Sequence, residues 1–114
     1  MNILIILNDP PYGSERSYNG LRLAKALSGD EVTLTVFLMA DAVLCAKQGQ
    51  RVPEGFYNIE LMLKSVLRKG RVLLCGTCMQ ARGLKAQELL SDARISTMPD
   101  LAELTLAADK VLVF

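Results

Sequence analysis

The sequence predicts an α/β protein in which a five-stranded parallel sheet is covered by helices on both faces. Two observations carry that prediction. Short runs of branched and apolar residues alternate with longer segments of helical periodicity, the pattern of strands joined by crossover helices rather than hairpins. The strand candidates are also unbroken in their hydrophobicity, as at residues 3–7 and 72–74, which suits strands buried on both faces. Right-handed crossovers follow from the parallel arrangement. With 114 residues, 51% of them hydrophobic, residues 1–114 have enough core for a single domain without disulfide staples.

Each element has its own signal. Residues 2–7 are a strand by their Ile and Leu content. Residues 8–15 (Asn-Asp-Pro-Pro-Tyr-Gly-Ser-Glu) are turn chemistry throughout. A helix is expected over 14–28, with Tyr18, Leu21, Ala24 and Leu27 at helical spacing and Ser28-Gly29-Asp30 ending it. Residues 31–38, rich in Val and Thr, give the second strand, and 40–47 a short helix. The polar stretch 48–55, with Gly49, Pro53 and Gly55, reads as a mobile loop. A third helix over 56–69 carries Ile59, Met62, Leu63, Val66 and Leu67 on a broad apolar side and stops at Gly70.

Residues 72–74 then form the third strand. Gly76 permits a sharp turn, and Thr77 is the expected N-cap of a helix opening at Cys78. Arg82-Gly83 interrupts this helix, which is expected to resume over 86–90. Residues 94–96 are a short strand, and Thr97-Met98-Pro99-Asp100 reads as a capping box with proline in the first turn. The last helix runs to about residue 108, with Leu101, Leu104 and Ala108 as its core stripe, and 110–114 is the fifth strand. Periodicity does not give the order of strands in the sheet.

Composition narrows the function. The net charge is +1 with basic residues scattered, so neither nucleic acid nor an anionic membrane is an expected partner. The absence of histidine removes both the commonest general base and the commonest zinc ligand. The apolar run at 3–7 is too short for a membrane or signal segment. Three cysteines, an odd count, point to a reducing compartment, and the expected location is the cytoplasm.

The pair Cys75 and Cys78 is the place to look for chemistry. Both thiols sit between the carboxyl end of a strand and the amino end of a helix, where open α/β sheets bind ligands and exposed N–H groups favour a thiolate. Four readings compete. A redox dithiol would be similar to the thioredoxin site, but no Trp precedes the pair, and the chain beyond reads helix, short strand, helix, strand. A zinc site lacks ligands, with only Cys45 left and no histidine, so no metal is expected. Inert packing is common for buried cysteine. The fourth reading is a nucleophilic thiol that carries or transfers sulfur.

The whole chain resembles the DsrE/DsrF-like sulfur-relay family. The resemblance rests on Cys-Gly-Thr-Cys-x-x-Ala-Arg-Gly at 75–83 after an apolar strand. Val36-Phe37-Leu38-Met39-Ala40-Asp41-Ala42-Val43 and Asn19-Gly20-Leu21-Arg22-Leu23-Ala24 support it. It implies a flavodoxin-like three-layer α/β/α fold assembled into homotrimers or homohexamers. It further implies a cysteine that accepts sulfane sulfur as a persulfide and hands it to a partner protein. Counted back from Arg82-Gly83, that position is Cys75, with Cys78 as alternate acceptor or resolving thiol. Two thiols in place of one depart from the single-thiol carriers, since they could discharge a persulfide by closing a disulfide.

Other residues are candidates for the same pocket. Arg82 lies four residues after Cys78, so an intact helix would put both on one face, where the guanidinium could steady a thiolate, a persulfide or an anionic donor; a solvated surface arginine is the plainer reading. Asp41 either caps the following helix or faces the crevice. Tyr12 and Ser14, on the loop after the first strand, are expected on the same sheet edge as Cys75 and are candidates to line the pocket. That loop lacks a glycine-rich phosphate fingerprint, and no cofactor is expected. Cys45 sits in an apolar segment and reads as a small core residue. The rival functions are a binding module with structural cysteines and a dithiol redox protein.

Overall fold

The computed structural model describes residues 1–114. The chain runs through β1 (Asn2–Leu7), α1 (Arg16–Leu27), β2 (Thr33–Leu38), a 3-10 turn at Ala40–Ala46, α2 (Ile59–Leu67) and β3 (Arg71–Cys75). It continues through α3 (Gly76–Ala81), a short 3-10 turn at Ala86–Glu88, β4 (Arg94–Ser96), α4 (Met98–Ala107) and β5 (Lys110–Val113). All five strands are parallel, in the order β4-β3-β2-β1-β5. The chain therefore steps outward from β1 to β4 and then returns through α4 to the far side of β1.

Side chains alternate across the sheet and build two cores of unequal size. On one face Ile3, Ile5, Leu7, Leu34, Val36, Leu38, Val72 and Leu74 meet Leu21 and Ala24 of α1 and Ile59, Leu63 and Val66 of α2. On the other, Leu4, Phe37 and Cys75 meet Leu101, with Leu104 and Ala108 packed beside them. The expected stripe on the last helix is thus core. Each fully buried side chain of this size contributes about 1.5–3 kcal/mol relative to exposure, so the two-helix face holds most of the fold together.

Several boundaries differ from the sequence expectation, each for a local reason. Asn58 caps α2 by accepting the Leu61 N–H at 3.1 Å, so that helix opens at Ile59 and leaves Phe56 outside it. The helix expected to resume over 86–90 is only the 3-10 turn, because Gly83 (φ +64°) redirects the chain and Leu84, Leu89 and Leu90 turn into the core. The 48–55 loop is clasped rather than free. Gln50 Nε2 donates to the Cys45 and Lys47 carbonyls at 2.8 and 2.9 Å, its Oε1 accepts from Tyr12 at 2.6 Å, and its N–H reaches Glu60 at 2.9 Å. No helix is long and apolar enough to cross a membrane.

Candidate functional site

The chain leaving β3 turns into α3, whose Met79 joins the larger core, whereas the chain leaving β4 turns into α4 on the opposite face. Adjacent parallel strands with exits to opposite faces open a crevice at their carboxyl ends. A cleft of about 650 Å³ occupies that position, lined by Met39 and the Cys75–Cys78 turn on one side and by residues 95–99 on the other. No charged side chain lines it.

Cys75 ends β3 and is itself the N-cap of α3, its Sγ accepting the Cys78 N–H at 3.3 Å. Thr77, the expected cap, lies inside the first turn and is exposed. A cap is any side chain that can accept the first free helix N–H groups, and here a sulfur fills the role usually given to oxygen. Cys75 is 8% exposed and packs in the smaller core, while Cys78 is half-buried between the two cores.

The two thiols are not equivalent. Burial pushes the Cys78 thiol above its ordinary value, and its interaction with the Cys75 sulfur adds to that rise. The Ala40 N–H and the Arg82 charge pull the other way and are outweighed. Cys78 therefore ionises less readily than an ordinary cysteine, while the Cys75 sulfur accepts a hydrogen bond from the Cys78 backbone.

Ala40 follows β2 and has φ +49°, a left-handed conformation that costs alanine about 1 kcal/mol or more. That turn brings its N–H to Cys78. The next residue, Asp41, does not cap; its Oδ1 accepts Arg82 Nε at 2.8 Å. Arg82 is the C-cap residue of α3 rather than a member of an unbroken helix, and its guanidinium folds back so that Nη1 donates to the Cys78 carbonyl at 3.1 Å. Arg82 and Cys78 are thus neighbours, as the spacing suggested, with Asp41 holding the guanidinium. With Asp41 exposed and Arg82 partly so, solvent screening keeps the ion pair to less than about 1 kcal/mol.

Tyr12 and Ser14 do not line this crevice. The Tyr12 hydroxyl donates to Gln50 and accepts the Ile59 N–H at 3.1 Å, and Ser14 Oγ donates to Asp9 Oδ2 at 2.6 Å. Tyr12 thus ties the loop after β1 to the Gln50 loop and the start of α2, and Ser14 closes the first loop on itself. Cys45 is fully buried in the larger core, where burial pushes its thiol up to about 12. No group of three His, Cys, Asp or Glu side chains comes together as a metal site. Sequence reasoning missed Met39, Ile95, Ser96, Met98 and Pro99 as crevice walls; the signal was the proline-bearing start of the last helix, usable only once the strand order is known.

A five-stranded parallel sheet with a sulfur capping a helix at its switch crevice defines a thiol-bearing α/β protein. The chain belongs to the DsrE/DsrF-like family, whose model matches residues 1–114. It is 45% identical over 115 residues to Protein YchN of Escherichia coli K12, covering 98% of this chain and 97% of that one. It is 36% identical to protein MJ0989 of Methanocaldococcus jannaschii over the full length of both. The crystal structure of the E. coli ychN protein superposes with a TM-score of 0.94 at 44% identity, covering 100% of this chain and 99% of the other. Protein MTH1491 of Methanobacterium thermoautotrophicum, at 12% identity and a TM-score of 0.75 over 97% of this chain and 96% of that one, shares the fold. The family supports a sulfur-relay type of role in general terms.

Proposed function

We propose that this protein relays sulfane sulfur through a persulfide on Cys75, with Cys78 as the second thiol. The observation that carries this reading is the Cys75 Sγ at the cap of α3, 3.3 Å from the Cys78 N–H, on the wall of a crevice without charged side chains. In the accepting step the Cys75 thiolate attacks the terminal sulfur of a donor persulfide. One S–S bond forms on Cys75, the donor's S–S bond breaks, and the donor leaves as its thiolate. In the handover an acceptor thiolate attacks that terminal sulfur, and Cys75 leaves as thiolate. Both steps need access and a thiolate at Cys75.

The contact between the thiols favours a second fate at the same site. Cys78, once deprotonated, attacks the inner sulfur of the Cys75 persulfide, closing a Cys75–Cys78 disulfide and expelling hydrosulfide; a dithiol reductant then reopens it. Arg82 stands beside Cys78 as the cation that eases this deprotonation, and Asp41 fixes its position.

Donor and acceptor are a sulfane-sulfur compound or partner proteins, and three free thiols suit work in a reducing cytoplasm. We assign the working form to a homotrimer or homohexamer. Val111 and Val113 pair in register with Leu4 and Ile6 on the α4 face yet stay 38% and 63% exposed, and Leu106 of α4 is 88% exposed. Bare apolar surface of that kind suits a subunit contact.

The test is mass spectrometry of the reduced protein after exposure to a persulfide donor, with alkylation and peptide mapping. The expected product is one added sulfur on Cys75, removed by reductant. A clean Cys75–Cys78 disulfide, with no persulfide trapped on Cys75 even in Cys78→Ser, moves the function to dithiol redox chemistry. No modification of the folded protein leaves a binding module with structural cysteines and overturns the proposal.

A further inference from the structure

All three tyrosines of the chain stand in one stack. Tyr57 lies against Tyr18 with ring centroids 4.1 Å apart and 22° between planes, and against Tyr12 at 5.8 Å and 24°. The stack fastens the end of the Gln50-clasped loop to α1, which accounts for Tyr12 and for both faces of Tyr57. It does not account for what lies beside it.

Between α1 and α2, next to Tyr18 and Tyr57, runs an open groove of about 780 Å³, within the usual range for small-molecule sites. Phe56 and Leu61 stand on its walls at 68% and 60% exposure, so neither contributes much to the core of the monomer. Two cations share the lining. The Arg22 guanidinium sits 5.5 Å from the centre of the Tyr18 ring, and Lys25 follows it on α1. Neither is in an ion pair; Arg22 donates one N–H to Asn19 Oδ1 at 3.2 Å and keeps its other donors. No carboxylate lines the groove, and Glu15, which acts on the Tyr57 hydroxyl, lies outside the lining.

Flat aromatic walls select a ring, because stacked and edge contacts reward planar partners beyond simple area. Unpaired cations over an aromatic face select negative charge, and a guanidinium can stack on a ring while donating to an anion. We propose that the α1–α2 groove is a binding site for a small planar aromatic anion, a ring carrying a phosphate or similar group, with the ring against Phe56 and the Arg22 guanidinium that covers Tyr18 and the charge on Arg22 and Lys25. The groove shares no lining residue with the thiol crevice, so this site stands independently of sulfur relay.

The probe is naphthyl phosphate, followed by its own fluorescence polarisation against the full chain, with naphthol and inorganic phosphate as the two halves of the ligand. Saturable binding is expected, weaker by about tenfold or more for naphthol and for the Arg22→Ala/Lys25→Ala double variant. Phe56→Ala is expected to lose affinity by a similar factor, and Cys75→Ser to bind as the parent does. All these positions except Cys75 are solvent-exposed, and thermal melts check that each variant is folded. Absence of saturable binding overturns the proposal, as does equal affinity for naphthol or undiminished binding by the double variant. If the probe fails to bind and Phe56→Ala instead lowers the sedimenting mass, the groove is a contact between copies of this chain and the site is withdrawn.

Discussion

Replacing Cys75 by serine and by alanine separates its capping role from its chemistry. The Sγ accepts the Cys78 N–H and also packs against the core formed by Leu4, Phe37 and Leu101. Alanine removes both contacts: about 1 kcal/mol for the lost cap and about 1 kcal/mol for the lost apolar contact and the small void behind it. Serine, a preferred cap residue, keeps the first and forfeits only part of the second. The two variants should therefore differ by about 1 kcal/mol, which for a chain of this length is roughly 4 °C in Tm. Urea unfolding at a common slope, supported by thermal melts, reads the difference, and neither variant should accept sulfur at residue 75. Equal stability of the two would show that the sulfur does not cap α3, and the argument for Cys75 as the accepting atom would lose its structural footing. Persulfide forming on Cys78 of Cys75→Ser at the parental rate would reverse the roles of the thiols.

The other predictions concern the surroundings of the site. Burial holds the Cys45 thiol near 12 in the native state, whereas in the unfolded chain it ionises near about 8.5. The native state thus binds the proton more tightly, so this stabilisation is complete below the unfolded value and falls by about 1.4 kcal/mol per pH unit above it. Urea midpoints taken upward from about pH 8 should fall more steeply for the parent than for Cys45→Ala, and Cys45 should alkylate only in denaturant. Ala40→Gly should raise stability by about 1 kcal/mol in chemical denaturation, since glycine adopts φ +49° without strain; no gain would mean that Ala40 is not strained. Gly20→Ala should cost about 1–3 kcal/mol despite the better helix former, because its Cβ would lie 2.5 Å from Leu7 Cδ2 and 3.2 Å from the Phe114 ring, and Leu7 is fully buried. A stabilised Gly20→Ala would show that α1 can move away from β1.

What was legible in the sequence is what short stretches of chain decide for themselves. Four of the five strands stand where an apolar run stood, β4 (Arg94-Ile95-Ser96) being the exception, and Thr97 caps α4 by accepting the Asp100 N–H at 3.3 Å, as its spacing suggested. The Asp100 carboxylate, however, accepts from Ser96 Oγ at 3.0 Å, a bond that no capping-box pattern contains. The Cys75 cap was hidden because serine, threonine and aspartate are the residues that announce caps, and Thr77 stood nearby to take the assignment. Ala40 was hidden for the opposite reason: alanine carries no sign of a left-handed backbone, which only the surrounding structure can impose. Tyr12 and Ser14 were placed correctly on the strand-end edge of the sheet but assigned to the wrong neighbours, since strand order was needed to put the crevice between β3 and β4. The misses at Ala40, Tyr12 and Ser14 share one cause. Residues 75–83 name the sulfur atoms, while the groups acting on them come from elsewhere: the N–H from the turn after β2, the clamp on Arg82 from Asp41, the opposite wall from the start of α4. A Cys-x-x-Cys segment by itself names the two sulfur atoms, and the long-range neighbours supply the N–H and the cation that ease ionisation of Cys78 and the opposite wall of the crevice.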